Sequence, residues 1–445
     1  MRKYISIISV MALLIGLLAS CGRSDEKRSK VLKIYNWADY IDEEVLTDFP
    51  EWYKEQTGEE VRVIYQTFDI NEIMLTKIER GHEDFDLVCP SEYILERMLR
   101  KDLLLPIDRN FGKTPDYLDN VSPYIQGELN KLSQPGRKMT DYVVPYMWGT
   151  AGLLYNKAFV SKDQVMTWAC LWDPAFKNKI LMKDSYRDAY GTAIIYAHAK
   201  ELADGTITVE QLMNDNSPEA IALAEDYLKR MKPNIAGWEA DFGKEMMTKN
   251  KAWVNLTWSG DAVWAMEEAA AVGVDLGYEV PKEGSNIWYD GWAIPKYARN
   301  VKAASYFMDY LCRPDIAIRN MEAIGYVSAV ASPEVLEEMT DSTRTEFSDV
   351  RYFFGAGADS VLLNPAQYPD RKVVERCAMI RDFGNETETV LEMWSRVKGD
   401  NLNSGIVILI FAVFGFLFVW VVYKRISRYR QKRRHRRRRS WYKKK

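Results

Sequence analysis

Histidine and cysteine are both scarce in this sequence, which holds 3 His and 5 Cys among 445 residues. The His residues are far apart and no two Cys residues form a CxxC pair, so no metal site is expected. The sequence also lacks GxSxG, P-loop and HExxH motifs. An enzyme is therefore disfavoured, and no cofactor is predicted.

A short basic segment and then an apolar run open the chain, which is the layout of a secretory signal peptide over residues 1–20. The run ends in Leu18-Ala19-Ser20-Cys21-Gly22, which resembles a lipoprotein box, so acylation of Cys21 is expected. An ordinary signal peptide followed by a chance Cys is the alternative. Residues 21–30 are polar and charged and are predicted to form a solvated tether. These features predict an exported domain.

A second apolar run lies near the C-terminus and is followed by basic residues. Residues 405–423 are apolar or aromatic, roughly the length that crosses a bilayer core, and predict a transmembrane helix. Residues 424–445 contain fourteen Lys or Arg and no acid, and are predicted to stay in the cytoplasm beside anionic lipid. Both ends predict the same topology. The main domain is expected in the periplasm, on the outer face of a bacterial cytoplasmic membrane.

The exported part is acidic once the terminal basic segments are set aside. Removing Arg2, Lys3 and the fourteen tail cations from the 60 Lys and Arg leaves 44 against 63 Asp and Glu, a formal charge of −19. Such a domain repels nucleic acid and attracts cations. A cationic ligand and no nucleic acid partner are therefore favoured, and solubility is the other explanation for this charge.

The cysteines beyond Cys21 are widely separated in the sequence. Export would permit disulfides between them, but a domain of about 370 residues can bury a core without any. Free buried thiols are thus an equally good prediction for Cys89, Cys170, Cys312 and Cys377.

Helical and extended patterns alternate along the exported part. A strand over 31–35, a helix over 42–56 and a strand over 61–65 form a β-α-β unit. A helix over 71–80 and a buried strand over 85–89 continue the alternation. This order predicts an α/β fold with largely parallel sheets, divided at this length into two lobes.

Ligands of such sheets lie beyond the carboxyl ends of the strands. Four segments at such ends each carry an aromatic residue, a carboxylate or both, namely 37–40, 90–93, 184–188 and 258–261. An alkyl ammonium suits these pairs, because its methylenes stack on rings and its charge pairs with the acid. Core packing is the alternative for any single Trp, but Asp beside Trp at a strand end is poor core chemistry.

Several motifs also resemble one known family. They are Tyr35-Asn36-Trp37-Ala38-Asp39-Tyr40, Asp86-Leu87-Val88-Cys89-Pro90-Ser91, Val144-Pro145-Tyr146-Met147-Trp148-Gly149, Pro281-Lys282-Glu283-Gly284 and Leu311-Cys312-Arg313-Pro314-Asp315. In this order they resemble the spermidine/putrescine-binding proteins of bacterial ABC transporters, over residues 31–398. The resemblance implies a two-lobed periplasmic-binding-protein (type II) fold with a hinge and an interlobe cleft. The expected lobes are 31–148 with 289–334, and 149–288 with 335–400.

The resemblance also implies a set of ligand-binding residues in the cleft. Asp188 stands where the family has Glu, and Asp290 is the carboxylate that anchors an amine. Trp258 and Asp261 match a Trp-x-Gly-Asp form of putrescine-type members. The full expected set is Trp37, Tyr40, Ser91, Tyr93, Ser185, Asp188, Trp258, Asp261, Trp288, Asp290 and Tyr326.

Two departures from the family pattern bear on the choice of ligand. Ser185 stands where spermidine-type members carry an acid, and Ile380 lies near an expected Gln. Recognition of a middle ammonium is thereby weakened, so putrescine and spermidine stay equally open.

The implied function is extracytoplasmic polyamine binding and delivery to ABC permease subunits, without catalysis. A membrane-anchored polyamine sensor is one alternative, since the C-terminal helix and tail are not needed for capture. A receptor for another small cation, such as ferric iron or thiamine, is a second. An enzyme that uses Asp188, Asp261 and Asp290 as acid and base is the third, and it is disfavoured because carboxylates facing a cation stay ionised.

Overall fold

The computed structural model describes residues 28–240, 242–399 and 411–424. The chain divides into two units, Met1–Thr387 and Glu388–Lys445. The predictions for the signal peptide at 1–20 and for Cys21 lie outside the described residues, as does nearly all of the tail at 424–445.

Eleven strands are present in the described part of the first unit. They are β1 (Val31–Trp37), β2 (Arg62–Phe68), β3 (Leu87–Val88), β4 (Leu104–Leu105), β5 (Val143–Asn156), β6 (Ile180–Lys183), β7 (Ile235–Glu239), β8 (Val254–Trp258), β9 (Leu276–Glu279), β10 (Ile287–Pro295) and β11 (Val327–Ser328).

Helices connect these strands throughout, as the alternating sequence pattern predicts. The longer ones are Glu43–Thr57, Asn71–Glu79, Glu92–Arg100, Pro123–Asn130, Tyr186–Ala197, Pro218–Met231, Gly243–Thr248, Ser259–Ala271, Val301–Leu311, Pro314–Ile324 and Pro333–Met339. Short helical segments are Lys162–Val165, Ala199–Ala203, Val209–Met213, Arg351–Phe354 and Arg371–Val374.

The strands form one mixed sheet in the order β2-β1-β3-β10-β5-β8-β6-β7. Pairing is parallel in β2-β1-β3 and in β8-β6-β7. It is antiparallel from β3 through β10 and β5 to β8. The expected α/β fold is confirmed, but the sheet is less parallel than predicted, because strand direction depends on how the chain crosses the molecule.

Strand β5 joins the two halves of this sheet. Its first part, up to Thr150, pairs with β10, and from Ala151 onward it pairs with β8 and β9. All fourteen residues of β5 are buried. We call the β2-β1-β3-β10 side the first half of the sheet and the β8-β6-β7 side the second half.

Each half has its own apolar core beneath the helices. Leu32 and Ile34 of β1 are fully buried in the first half, together with Phe49 from the helix Glu43–Thr57. In the second half, Leu154 and Leu181 pack with small residues of the helix Ser259–Ala271, including Ala262. Burying such side chains contributes about 25 cal/mol of folding free energy per Å² of apolar surface. The two cores therefore fix the strands and the residues at their ends.

The four described cysteines are free thiols, so the prediction of unpaired Cys is the one that holds for them. Cys89, Cys170 and Cys312 are buried, and Cys377 is half-buried.

The second unit contains most of the helix Thr387–Gly399 and a helix over 411–424. Within the described ranges, no helix is both long enough and apolar enough to cross a membrane. The predicted span at 405–423 begins in residues that are not described.

Candidate functional site

A buried carboxylate, Asp290, lies at an irregular point of β10. The register between β10 and β5 shifts between Tyr289 and Gly291, and Asp290 forms an isolated bridge with Ser91. Such a bulge re-aims a side chain out of the regular ladder. The Tyr40 hydroxyl donates to Asp290 Oδ2 at 2.8 Å, and the Ser91 side chain hydrogen-bonds the same carboxylate. Burial raises the pKa of Asp290 to about 7.

A second carboxylate, Glu92, lies next to this group and is only 1% exposed. The backbone N–H of Tyr289 donates to Glu92 Oε2 at 3.1 Å. Burial first, and the charge of Asp290 second, raise the pKa of Glu92 well above its usual value. Neither carboxylate has an ion-pair partner among the described residues. The first half of the sheet therefore holds two buried carboxyl groups whose ionised form is stabilised by no ion pair within the described part of the chain.

Aromatic rings lie beside these carboxylates. Tyr40 meets Tyr326 edge to face at 5.2 Å between ring centroids, and Trp288 meets Tyr326 at 5.6 Å. Glycines make room for this packing, because a Cβ on Gly260 would come within 2.2 Å of the Tyr326 ring and one on Gly149 within 2.8 Å of Trp288. The rings form a contiguous apolar wall next to the acids.

Asp261 lies on the other side of Tyr326, at the start of the helix Ser259–Ala271. The Tyr326 hydroxyl donates to Asp261 Oδ1 at 2.8 Å. Lys183 Nζ lies 2.6 Å from Asp261 Oδ2, which makes a buried ion pair. Burial acts to raise the pKa of Asp261, but the charges of Lys183 and Lys244 outweigh it and hold that pKa below its ordinary value.

Asp188 lies in the first turn of the helix Tyr186–Ala197. Ser185 caps this helix, because its hydroxyl accepts from the backbone N–H of Asp188 at 3.3 Å. The indole N–H of Trp258 donates to Asp188 Oδ2 at 3.1 Å, and Asn286 Nδ2 donates to Oδ1 at 3.0 Å. Both donors are neutral, so Asp188 is held in position but its charge is not cancelled.

Tyr93 belongs to a hydrogen-bond group around Glu72. The hydroxyls of Tyr93 and Tyr186 both donate to Glu72 Oε1, at 3.1 and 3.0 Å. Asn71 Nδ2 donates to the Tyr93 hydroxyl at 3.1 Å and to Ser91 Oγ at 3.2 Å. Through Asn71 this group is connected to Ser91 and so to Asp290.

Two of the predicted tryptophans, Trp37 and Trp288, lack a polar partner among the described residues. Trp37 ends β1 and packs on Phe68, with 4.5 Å between ring centroids. Within the described part of the chain, the buried indole N–H groups of Trp37 and Trp288 have no hydrogen-bond partner. A buried unsatisfied donor is costly, which is common where a ligand or water completes the site.

The structure thus connects most of the predicted residues from two halves of the sheet. One chain of contacts runs from Asp290 through Tyr40 and Tyr326 to Asp261. Asp188 is connected to it through Trp258, whose ring lies 4.6 Å from the Lys183 ammonium.

Sequence reasoning missed four polar residues at this site. Glu92 and Lys183 are among the most informative, and both had a signal, since Glu92 follows the predicted Ser91 and Lys183 ends a strand just before a predicted segment. Their role could not be read from the sequence, because the groups they meet, such as Asp290 and Asp261, lie far away along the chain. The four are Glu72, Glu92, Lys183 and Asn286.

Comparisons with known proteins agree on one family. The family model of the bacterial extracellular solute-binding proteins matches residues 51–343. The putrescine-binding periplasmic protein of Escherichia coli is 30% identical, over 75% of this chain and 86% of that protein. The spermidine/putrescine-binding periplasmic protein of the same organism is 29% identical, over 75% of this chain and 88% of that protein.

A solved structure gives the same result for the fold. The spermidine/putrescine ABC transporter substrate-binding protein of Streptococcus pneumoniae superposes with a TM-score of 0.62 at 29% identity, covering 83% of this chain and 99% of that one. The periplasmic-binding-protein fold is therefore confirmed. The chain belongs to the bacterial extracellular solute-binding protein family, as its resemblance to the spermidine/putrescine-binding members predicted.

Proposed function

We propose that this chain captures a polyamine outside the cytoplasmic membrane and delivers it to the permease of an ABC transporter. The observation that supports this most directly is the pair of buried carboxylates, Asp290 and Glu92, which have no ion-pair partner among the described residues and lie beside aromatic rings. The relatives described above are named for binding spermidine or putrescine. Their family consists of solute-binding proteins, which bind a ligand without transforming it.

The electrostatics of the site favour a cationic ligand. A buried carboxylate without a partner is unstable in its charged form, which is why the pKa of Asp290 is raised to about 7. An ammonium group beside it restores the charged form and gains a charge-assisted hydrogen bond. The rings of Tyr40, Tyr326 and Trp288 then cover the methylenes, and each ammonium over a ring adds about 0.5–2 kcal/mol.

The proposed ligand-contacting set keeps the residues predicted from the sequence. Asp290 is the ammonium anchor and Asp188 is a second carboxylate, whereas Asp261 lies at the edge of the set, where it accepts from the Tyr326 hydroxyl and its charge is paired with Lys183. The set is Trp37, Tyr40, Ser91, Tyr93, Ser185, Asp188, Trp258, Asp261, Trp288, Asp290 and Tyr326. Their mutual contacts across the two halves of the sheet support this assignment.

We further propose that the two halves of the sheet belong to two lobes, 31–148 with 289–334 and 149–288 with 335–400. Strand β5 passes from one half to the other at Thr150 and Ala151, which supports a hinge there. Closing the lobes around a ligand is a typical motion of such two-part folds.

The proposal also includes attachment to the membrane. An acyl chain on Cys21 and a helix over 405–423 would hold the domain in the periplasm, with the tail in the cytoplasm. Alkaline extraction of membranes tests this. The chain should stay in the membrane after Cys21→Ser alone or after truncation at residue 400 alone, and should be released when both changes are combined. Release by either single change would contradict double attachment.

Calorimetric titration of the purified full-length chain with putrescine, spermidine and spermine tests the function. Saturable one-to-one binding of at least one polyamine is expected, with free lysine and ferric citrate giving no comparable heat. No binding of any polyamine to folded protein would refute the proposed function.

A further inference from the structure

One of the cation positions in this site is already filled by a side chain of the protein. Lys183, at the end of β6, is 1% exposed. Its Nζ lies 2.6 Å from Asp261 Oδ2 and 3.3 Å from Glu239 Oε1, and it donates to the Ala240 carbonyl at 2.6 Å. It also lies 4.6 Å from the centroid of the Trp258 ring. Carboxylates, a carbonyl and an aromatic face are the contacts that a bound ammonium group would make.

The local charges balance at this position without a ligand. Asp261 and Glu239 are the two carboxylates, and Lys183 and Lys244 are the two cations, with Lys244 Nζ 3.6 Å from Asp261 Oδ1. The pKa of Lys183 is accordingly raised: burial acts to lower it, but the nearby carboxylates outweigh burial. A ligand ammonium placed here would meet a fixed like charge.

The remaining carboxylates define how many charges a ligand can bring. Of the three aspartates in the proposed site, Asp261 has a lysine partner, whereas Asp188 and Asp290 have no ion-pair partner among the described residues. Glu92 lies beside Asp290, and its raised pKa favours its uncharged form, so the two groups make one cation position. Two positions thus remain for ammonium groups.

We propose that Lys183 determines ligand specificity: its ammonium group occupies the cation position at Asp261, so the site takes a diamine in preference to a triamine. This rests on the proposed polyamine-binding function and adds to it the class of ligand and the residue that selects it. A diamine carries two ammonium groups, one for each unfilled aspartate. The additional ammonium of a triamine has to displace Lys183 or lie close to its charge, and like charges at such distances repel strongly in a buried site.

Replacing Lys183 by methionine tests the proposal, because methionine keeps much of the chain length and removes the charge. Putrescine and spermidine are titrated into the full-length chain and into Lys183→Met by calorimetry. The unaltered chain should bind putrescine more tightly than spermidine. The ratio of spermidine affinity to putrescine affinity should rise at least tenfold in Lys183→Met. An unchanged ratio in folded Lys183→Met, or a preference of the unaltered chain for spermidine, would overturn the proposal.

Lys33→Met is a matched control, since Lys33 is also a strand lysine, on β1, and its Nζ pairs with an aspartate, Asp84, at 2.5 Å. It should leave the affinity ratio within twofold of the unaltered chain. An equal rise in this control would show that the change in ratio is not specific to Lys183, and would overturn the proposal.

Lys183→Met leaves Asp261 and Glu239 buried without the cation of Lys183, and this loss could prevent folding. A second variant, Asp261→Asn, keeps the proposal testable in that case. In Asp261→Asn, Lys183 keeps Glu239 and the Ala240 carbonyl. Loss of putrescine affinity should then be less than tenfold, against at least about thirty-fold for Asp290→Asn. Equal losses in the two variants would mean that a ligand ammonium binds Asp261 directly. If the unaltered chain binds neither amine, the proposed function fails and this proposal fails with it, an outcome distinct from binding without the expected selectivity.

Discussion

Replacing Asp290 by asparagine is expected to change ligand affinity and protein stability in opposite directions. The change removes the negative charge but keeps an oxygen that can accept from the Tyr40 hydroxyl, now 2.8 Å from Oδ2. The buried charge of Asp290 destabilises the ligand-free fold, whereas binding of a cationic ligand requires that charge.

The loss of affinity follows from the loss of a buried charge pair. Removing one partner of such a pair across a binding site costs about 2–5 kcal/mol. This corresponds to a loss of roughly thirty-fold to a few thousand-fold in affinity for a polyamine. Calorimetric titration at pH 8 measures it directly.

The gain in stability follows from the pKa of the buried carboxyl. A carboxyl whose pKa is raised from 3.8 to about 7 by burial makes the ligand-free protein less stable at pH 8 by about 4 kcal/mol. Asparagine has one hydrogen-bond acceptor fewer than aspartate, and this loss reduces the gain in stability by about 1 kcal/mol. Asp290→Asn should therefore raise the free energy of unfolding by about 3 kcal/mol at pH 8.

The sign of the pH effect provides a further check. Because the pKa of Asp290 is raised in the folded state, its favourable contribution is complete below pH 3.8 and is lost as the pH rises through about 7. The stabilisation by Asp290→Asn should thus be largest at pH 8 and should shrink as the pH falls towards 4. Urea denaturation of the ligand-free protein at several pH values measures this trend.

Asp309→Asn is the matched control for this experiment. Burial raises the pKa of Asp309 to about 7 as well, and its side chain accepts from the backbone N–H of Tyr117 at 2.7 Å, away from the proposed site. This change should alter stability with pH but leave polyamine affinity within twofold. The reasoning is refuted if Asp290→Asn lowers stability at pH 8, or if it binds polyamine within threefold of the unaltered chain.

Three further predictions concern pH, packing and an ion pair. Polyamine affinity should fall about a hundredfold between pH 8 and pH 5, because Asp290 must be ionised to bind and its pKa is about 7; titrations across this range would contradict this if affinity stayed flat. Gly260→Ala should weaken binding at least tenfold, because the added Cβ would lie 2.2 Å from the Tyr326 ring; unchanged affinity in the same titration would show that the ring is free to move. Asp382→Ala should lower the free energy of unfolding by about 3 kcal/mol, since Arg97 loses a buried partner. Urea denaturation checks this, with the exposed Asp275→Ala, which removes the partner of Lys157, as a control that should change stability by less than 1 kcal/mol.

The order of helices and strands could be predicted because it depends on local patterns. The strand at 31–35, the helix at 42–56 and the helix at 71–80 all appear within about two residues of their predicted bounds. Apolar spacing and the capping residues around these elements are neighbours in the sequence, so the chain carries the signal without tertiary contacts. The full length of strand β5 could not be predicted from local patterns, because its second half pairs with β8, which lies about 100 residues further along the chain.

Candidate site residues could be selected because acids beside aromatic rings at strand ends are unusual in a core. Asp188, Asp261 and Asp290 were all selected in this way or through the family resemblance, and all three are buried in the structure. Which of them has a protein partner was not readable from the sequence. Lys183 and Asp261 are far apart along the chain, and a lysine at the end of an apolar strand is ordinarily read as the start of a loop.

The sequence by itself determined the alternation of helices and strands and the acidic character of the exported part, because these depend on composition and on neighbours along the chain. Only the tertiary structure decided the mixed direction of the sheet, the placement of Glu92 beside Asp290, and the pairing of Lys183 with Asp261. These depend on where β5 and β10 cross the molecule, since that crossing brings charges from distant segments into one buried space. There, each charge is stable only if another lies within a few ångströms, and the identity of that partner is a property of the fold.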